Sequence, residues 1–258
     1  MHRRHPFVAT ARRLLMPCLV AVILSTGGVS SGVAAPFAFQ KNDTVAIYGN
    51  GLADRMQHAP WVEAVLQKQL VGLDVRFRDL GMSGDTVAVR PREEGFIADP
   101  AYLDLVDSSV IFMFFGYNES YAGPAGADAY RQELVKAVAN YRALRAEKGK
   151  QVRFVLFSPI AFESTGDPNL PDGTLHNANL AAYAAATRLA AEEADATFVD
   201  LYAPTFQLFA GSSERFTLNG CHLNDAGYRR LADIISQALL GATVPADTDL
   251  GQVRAAVA

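Results

Sequence analysis

Thr44-Val45-Ala46-Ile47-Tyr48-Gly49-Asn50-Gly51-Leu52-Ala53-Asp54-Arg55-Met56 is the stretch on which the reading of this chain turns. Residues 45–48 form an apolar run of strand length. Gly49-Asn50-Gly51 then interrupts the run with residues that tolerate backbone angles closed to most others. From residue 52 to 71 the apolar side chains Met56, Val62, Val65, Leu66 and Leu70 fall at helical spacing. The prediction is a buried strand, a tight turn and a helix. In an open α/β sheet such a turn lies at the carboxyl edge, where ligands bind.

Working outward, the same alternation recurs. Residues 75–80 predict a second strand, ending in Gly81-Met82-Ser83-Gly84-Asp85-Thr86. Residues 90–100 are irregular and charged, and 101–106 predict a short helix. Residues 109–115 are apolar almost throughout, as expected of a central strand in a parallel sheet, and run into Gly116-Tyr117-Asn118-Glu119-Ser120. Tyr130, Leu134, Val138, Tyr141 and Leu144 line one face of a helix over 126–148. A strand at 152–157 stops at Ser158-Pro159, and a Pro-, Gly-, Asp- and Asn-rich loop covers 161–175. Residues 177–194 predict an Ala-rich helix, 197–201 a last strand and 224–240 a final helix; 206–214 carries no clear period. Residues 243–258 lack periodicity and read as tail or linker, so the domain is set at 36–241 and the unstructured tail at 242–258. Strands alternating with helices predict a three-layer α/β/α fold with a central parallel sheet of about five strands, and the loops after the strands gather at one edge.

The totals bound the function. Half of the 258 residues are hydrophobic, enough for one well-packed domain. Arg3, Arg4, Arg12 and Arg13 precede an apolar stretch, 14–24, too short to span a membrane comfortably, and Val33-Ala34-Ala35 offers a cleavage site. Residues 1–35 therefore read as a signal peptide, and the mature chain is expected to be exported, periplasmic or extracellular, without stable membrane insertion. Cys18 lies inside the apolar run, which does not suit a lipoprotein. Removing residues 1–35 takes four Arg and no acid, so the net charge falls from −4 to −8, and nucleic acid is not an expected partner. Only Cys221 remains, so no intrachain disulfide forms, and no Cys/His cluster has metal-site spacing. No metal or other cofactor is expected.

Four of the edge segments, in order, resemble the blocks of the SGNH/GDSL hydrolases. Gly49-Asn50-Gly51-Leu52 matches the first block, whose serine is the nucleophile; Gly51 stands in its place. Gly84 matches the glycine, and Asn118 the asparagine, that donate to the oxyanion. Asn219-Gly220-Cys221-His222-Leu223 matches the last block, with His222 on the general base and Asn219 on the triad's acid. The resemblance spans residues 44 to 240 and implies a flavodoxin-like SGNH fold and an ester-hydrolase lineage acting on carbohydrate or small polar esters. Asn50, Glu119 and Arg90 are candidates to line the ligand pocket, as is Arg92; Glu119 and both arginines read equally as solvated loop residues.

Acyl transfer needs a nucleophile, a base, a group orienting the base and donors for the oxyanion. An amide at 219 does not stabilise an imidazolium as a carboxylate does. Such a change costs on the order of ten-thousandfold in a comparable triad, and loss of the nucleophile on the order of a millionfold. The expected product is a catalytically impaired domain that binds an acylated or anionic ligand. Two alternatives stand beside it: a weak ester hydrolase in which His222 activates water or a surrogate nucleophile, and a docking module for an exported redox protein. Among surrogates, Cys221 adjoins His222, yet neighbouring side chains diverge and a small packing residue is the simpler reading. Ser83 and Ser120 read first as turn and cap residues, and Asp54 as an acid favoured at a helix start. His58 and His176 have no matched role. Phrases such as Arg55-Met56-Gln57-His58 and Phe114-Phe115-Gly116-Tyr117-Asn118-Glu119-Ser120 also resemble the SGNH-like module opening some large secreted bacterial haem- and dehydrogenase-type proteins. That resemblance suggests Phe206, Phe209 and the 161–175 loop as contact surface. No Cys-x-x-Cys-His haem site accompanies it.

Overall fold

The structure is a computed structural model describing Met1 and residues 36–91, 99–245 and 248–257. The signal-peptide segment and Arg92 lie outside the described residues.

Five parallel strands, β1 (Thr44–Gly49), β2 (Arg76–Asp79), β3 (Val110–Phe114), β4 (Arg153–Phe157) and β5 (Thr197–Val199), form one sheet in the order β2-β1-β3-β4-β5. The helices are α1 (Gly51–Asp54), α2 (Trp61–Gln69), α3 (Asp99–Leu105), α4 (Ala127–Ala146), α5 (Thr174–Glu193), α6 (Tyr202–Gly211), α7 (Asp225–Leu240) and α8 (Gly251–Val257). Side chains alternate along each strand. Val45, Ile47, Phe112, Phe114, Val155 and Phe157 pack with residues of α2 and α7. Ala46, Tyr48, Ile111, Met113, Phe154 and Leu156 pack with residues of α4 and α5 on the other face. The central strands are buried on both sides, which explains their unbroken apolar runs. The strand order reverses between β1 and β3, so the crevice beyond their carboxyl ends is the expected ligand site.

Three expectations change. The helix predicted over 52–71 is interrupted after α1 by a 3-10 turn, Arg55–Gln57, and resumes only at Trp61. Pro60, with no N–H and a fixed φ, suits the start of a helix and not its interior. Residues 206–214 belong mostly to α6. Phe206 is exposed there, whereas Phe209 packs against the core and stacks on Phe216 at 6.2 Å.

The predicted tail is not unstructured throughout. Val244 and Leu250 are buried, and α8 lays Arg254 over the Trp61 ring at 3.8 Å, where it also pairs with Asp225 at 3.1 Å. Two separated apolar anchors, each contributing roughly 1.5–3 kcal/mol on burial, leave no periodic signature in a sequence.

Candidate functional site

The turn after β1 is closely packed. A Cβ at Gly49 would lie 2.3 Å from the Phe114 carbonyl oxygen, so only glycine lets β1 and β3 end together here. Asn50 caps α1, its Oδ1 accepting from the Leu52 N–H at 3.2 Å. Gly51 opens α1 and faces a cavity of about 170 Å³, walled by Asn50, Leu52, Phe115, Tyr117, Asn118, Tyr121, Ile160, Cys221 and His222 among others. As a first-turn residue, Gly51 has no acceptor for its N–H within the helix.

The β2 loop lies on this turn because Gly81 has no side chain: a Cβ there would stand 2.3 Å from the Asp54 nitrogen. The Met82 N–H donates to the Gly49 carbonyl at 2.9 Å and fastens the loop. Asp79, at the end of β2, accepts from the Gly81 N–H on its Oδ1 at 2.8 Å and buries its Oδ2 without a partner among the described residues. Burial, aided by the Asp54 and Glu63 carboxylates and only partly offset by that hydrogen bond, pushes its pKa up to about 7. Between pH 4 and pH 7 Asp79 is then more protonated in the folded chain than in the unfolded one, so its contribution to stability falls as pH rises through that window. Asp79→Asn is expected to remove this dependence. At pH 8 it should raise stability by on the order of 1–3 kcal/mol, and near pH 3 by almost nothing, read as the unfolding midpoint at each pH.

His222 lies on the segment between β5 and α7, held by a clamp. The Glu163 carboxylate is buried and accepts from the Phe216 N–H at 3.0 Å, the Thr217 N–H at 2.7 Å and the Thr217 hydroxyl at 2.5 Å. The Glu163 N–H donates to the Gly220 carbonyl at 2.8 Å. Asn224 caps α7 directly beyond, accepting from the Gly227 N–H at 2.8 Å.

Within this frame Asn219 sets the histidine tautomer. Its Oδ1 accepts the His222 backbone N–H at 3.1 Å, which identifies that atom as the oxygen. The same oxygen lies 3.1 Å from His222 Nδ1, so Nδ1 must carry the proton and Nε2 keeps a lone pair. The amide therefore favours the tautomer a general base needs, although it offers an imidazolium no counter-charge. Burial first, and the Arg55 guanidinium second, hold the His222 pKa below its ordinary range. Both effects favour the neutral ring.

Cys221 does not diverge from His222, as its place in sequence suggested: Sγ lies 3.2 Å from Nδ1 and lines the pocket. It faces the protonated nitrogen, however, and burial, offset only in part by Tyr117 and the Arg55 guanidinium, pushes its thiol pKa up, which disfavours the thiolate.

Asn118 lines the pocket and donates one Nδ2–H to the Asp85 carbonyl at 2.8 Å, leaving the second for a ligand. Gly84 has a positive φ of 88° and open space around it, but it stands outside the pocket wall. Glu119 and Arg90 do not line the pocket. Glu119 turns inward, its two oxygens accepting from the Val87 N–H at 2.9 Å and the Gly116 N–H at 2.8 Å, and thus ties the second and third loops together. Arg90 covers the Tyr48 ring at 4.4 Å and donates to the Tyr141 hydroxyl at 3.2 Å. Its planar cation finds an aromatic face on the α4 side of the sheet.

Sequence reasoning missed Glu163, whose role depends on contacts 53 and 54 residues away. It also missed Tyr117, whose hydroxyl is buried in the pocket wall near the Cys221 thiol. Among the described residues no His/Cys/Asp/Glu group could hold a metal, and no helix is long and apolar enough to cross a membrane.

The profile of the GDSL-like lipase/acylhydrolase family matches residues 46–230. No curated protein matches the sequence. Among solved structures, a protein described as a GDSL-like lipase from Parabacteroides merdae aligns with a TM-score of 0.63 at 15% identity, covering 80% of this chain and 99% of its own. LAE5, an α/β hydrolase from the metagenome of Lake Arreo, gives 0.58 at 16%, covering 78% and 96%. Axe2, an acetylxylan esterase from Geobacillus stearothermophilus, gives 0.56 at 16%, also covering 78% and 96%. At these identities the structures share a fold with this chain.

Proposed function

We propose that this chain, which belongs to the GDSL-like lipase/acylhydrolase family, binds the acyl end of a small or carbohydrate ester in the Gly51 pocket without the family's serine chemistry. The observation that carries this reading is Gly51 itself. It occupies the nucleophile's place at the switch-point crevice, while the pocket around it keeps its polar groups: the spare Asn118 N–H, the Tyr117 hydroxyl and His222. The apolar wall of Phe115, Tyr121 and Ile160 suits a short acyl chain, and the donors suit an ester carbonyl. The acetylxylan esterase among the fold relatives makes an acetylated sugar a reasonable first ligand.

A second reading, slow hydrolysis, is favoured by one observation: Asn219 leaves His222 in the tautomer of a base. Residues 36–258 should therefore be tested against short-chain acyl esters and acetylated sugars, by thermal shift for binding and by turnover. His222→Ala is expected to leave ester binding within about threefold and to reduce any multiple turnover by on the order of a hundredfold or more. Binding with no turnover above this variant supports the pocket as a binding site. Turnover that His222→Ala removes supports the hydrolase.

A further inference from the structure

Asp54 and Ser83 take no part in the readings above, yet they meet beside Gly51. Ser83 Oγ donates to Asp54 Oδ2, and the other carboxylate oxygen accepts from Gln57 Nε2 at 3.0 Å. The pairing joins the β2 loop to α1 across the close approach at Gly81. Among the described residues outside its own helix, a Cβ placed on Gly51 would meet Ser83 Oγ at 3.4 Å and nothing else within 4 Å. A hydroxyl from the second block thus stands beside the position at which the first block lacks one. Its proton acceptor is already in place.

We infer that Ser83 is the nucleophile for ester cleavage at this site, with Asp54 as its base; the inference rests on the ester-binding reading and specifies its slow-hydrolysis form. Ser83 Oγ attacks the acyl carbonyl carbon as its proton passes to Asp54 Oδ2. The carbonyl oxygen becomes an oxyanion beside the spare Asn118 N–H. Collapse breaks the bond to the alcohol oxygen, which leaves with the proton returned by Asp54. The acyl group is then esterified to Ser83. His222 Nε2 takes a proton from water, the hydroxide attacks the acyl carbon, and Ser83 Oγ departs with the proton handed back by His222. The Ser83 proton leaves on the alcohol and is replaced by one from water, so Ser83, Asp54 and His222 each end in the protonation state in which they began, and no co-reactant besides water is consumed. Ser83 and Asp54 are not themselves part of the pocket wall; Ser83 meets that wall at Gly51, which is part of it.

The test uses 4-nitrophenyl acetate with residues 36–258 and intact-protein mass measurement. In His222→Ala the second half-reaction fails, so one acetyl group per chain is expected to accumulate and to map to Ser83. His222→Ala/Ser83→Ala should lose this adduct, His222→Ala/Ser83→Cys should retain acylation, and His222→Ala/Asp54→Asn should acylate at least tenfold more slowly. Ser83 is exposed, so its variants should unfold with unchanged midpoints. An adduct on Cys221, or one that survives Ser83→Ala, overturns the inference. So does an absence of adduct in a protein that 4-nitrophenyl acetate or an acetylated sugar still stabilises. If no ester stabilises the protein at all, the ester-binding reading fails first and takes this one with it.

Discussion

Gly51→Ser is expected to raise kcat/KM for 4-nitrophenyl acetate by at least about a hundredfold over the parent chain, and Gly51→Ser/Asn219→Asp by a further ten- to thousandfold. The ceiling comes from related chemistry: losing a triad nucleophile costs on the order of a millionfold, and an amide in place of the acid about ten-thousandfold, without the two adding. The site is built to accept the change. Gly51 is not among the positive-φ glycines, so a side chain carries no backbone strain. Among the described residues outside its own helix, an added Cβ meets only the Ser83 hydroxyl, at ordinary contact distance. The base already has its lone pair on Nε2, because Asn219 holds the proton on Nδ1. What the single variant lacks is a charge for the imidazolium, which Asn219→Asp supplies. Rates unchanged in both variants would count against the pocket as an acyl site.

Glu163→Ala is expected to cost roughly 3–5 kcal/mol of stability, measured as the shift in urea midpoint at constant m-value. The carboxylate is 4% exposed and satisfies two backbone N–H groups and one hydroxyl. Alanine leaves these buried donors without acceptors, and each such loss costs about 1–3 kcal/mol. Glu163→Gln keeps one acceptor oxygen but turns an NH2 toward a donor, so an intermediate loss of roughly 1–3 kcal/mol is expected. Because Glu163 also holds the segment carrying Asn219 and His222, the Gln variant should weaken ester binding more than its stability loss alone accounts for.

The parts of this site that the sequence made legible are those that rest on neighbours in sequence. Val45 to Tyr48 followed by Gly49-Asn50-Gly51 states strand and turn by itself, since an apolar run and its breakers act within a few residues. The same holds for Asn219 and His222, three residues apart on one loop. Glu119 and Arg90 were misplaced because their charges suggested solvent or ligand. In the fold, one is spent on two backbone N–H groups and the other on an aromatic face. The tail was misread because Val244 and Leu250 hold it through surfaces offered by distant elements.

By itself, then, the sequence determined the alternation of strands and helices, the parallel sheet, the family and the absence of a serine at 51, all consequences of local pattern and order. Tertiary structure alone decided which way side chains with several options would turn. It brought Glu163 to Thr217, Cys221 to the protonated side of His222, and Ser83 to Asp54 beside the open face of Gly51. Such pairings depend on how loops from different strands lie together at the sheet edge. A hydroxyl or carboxylate takes whichever partner the packing of the backbone leaves within about 3 Å, and no spacing along the chain encodes that distance.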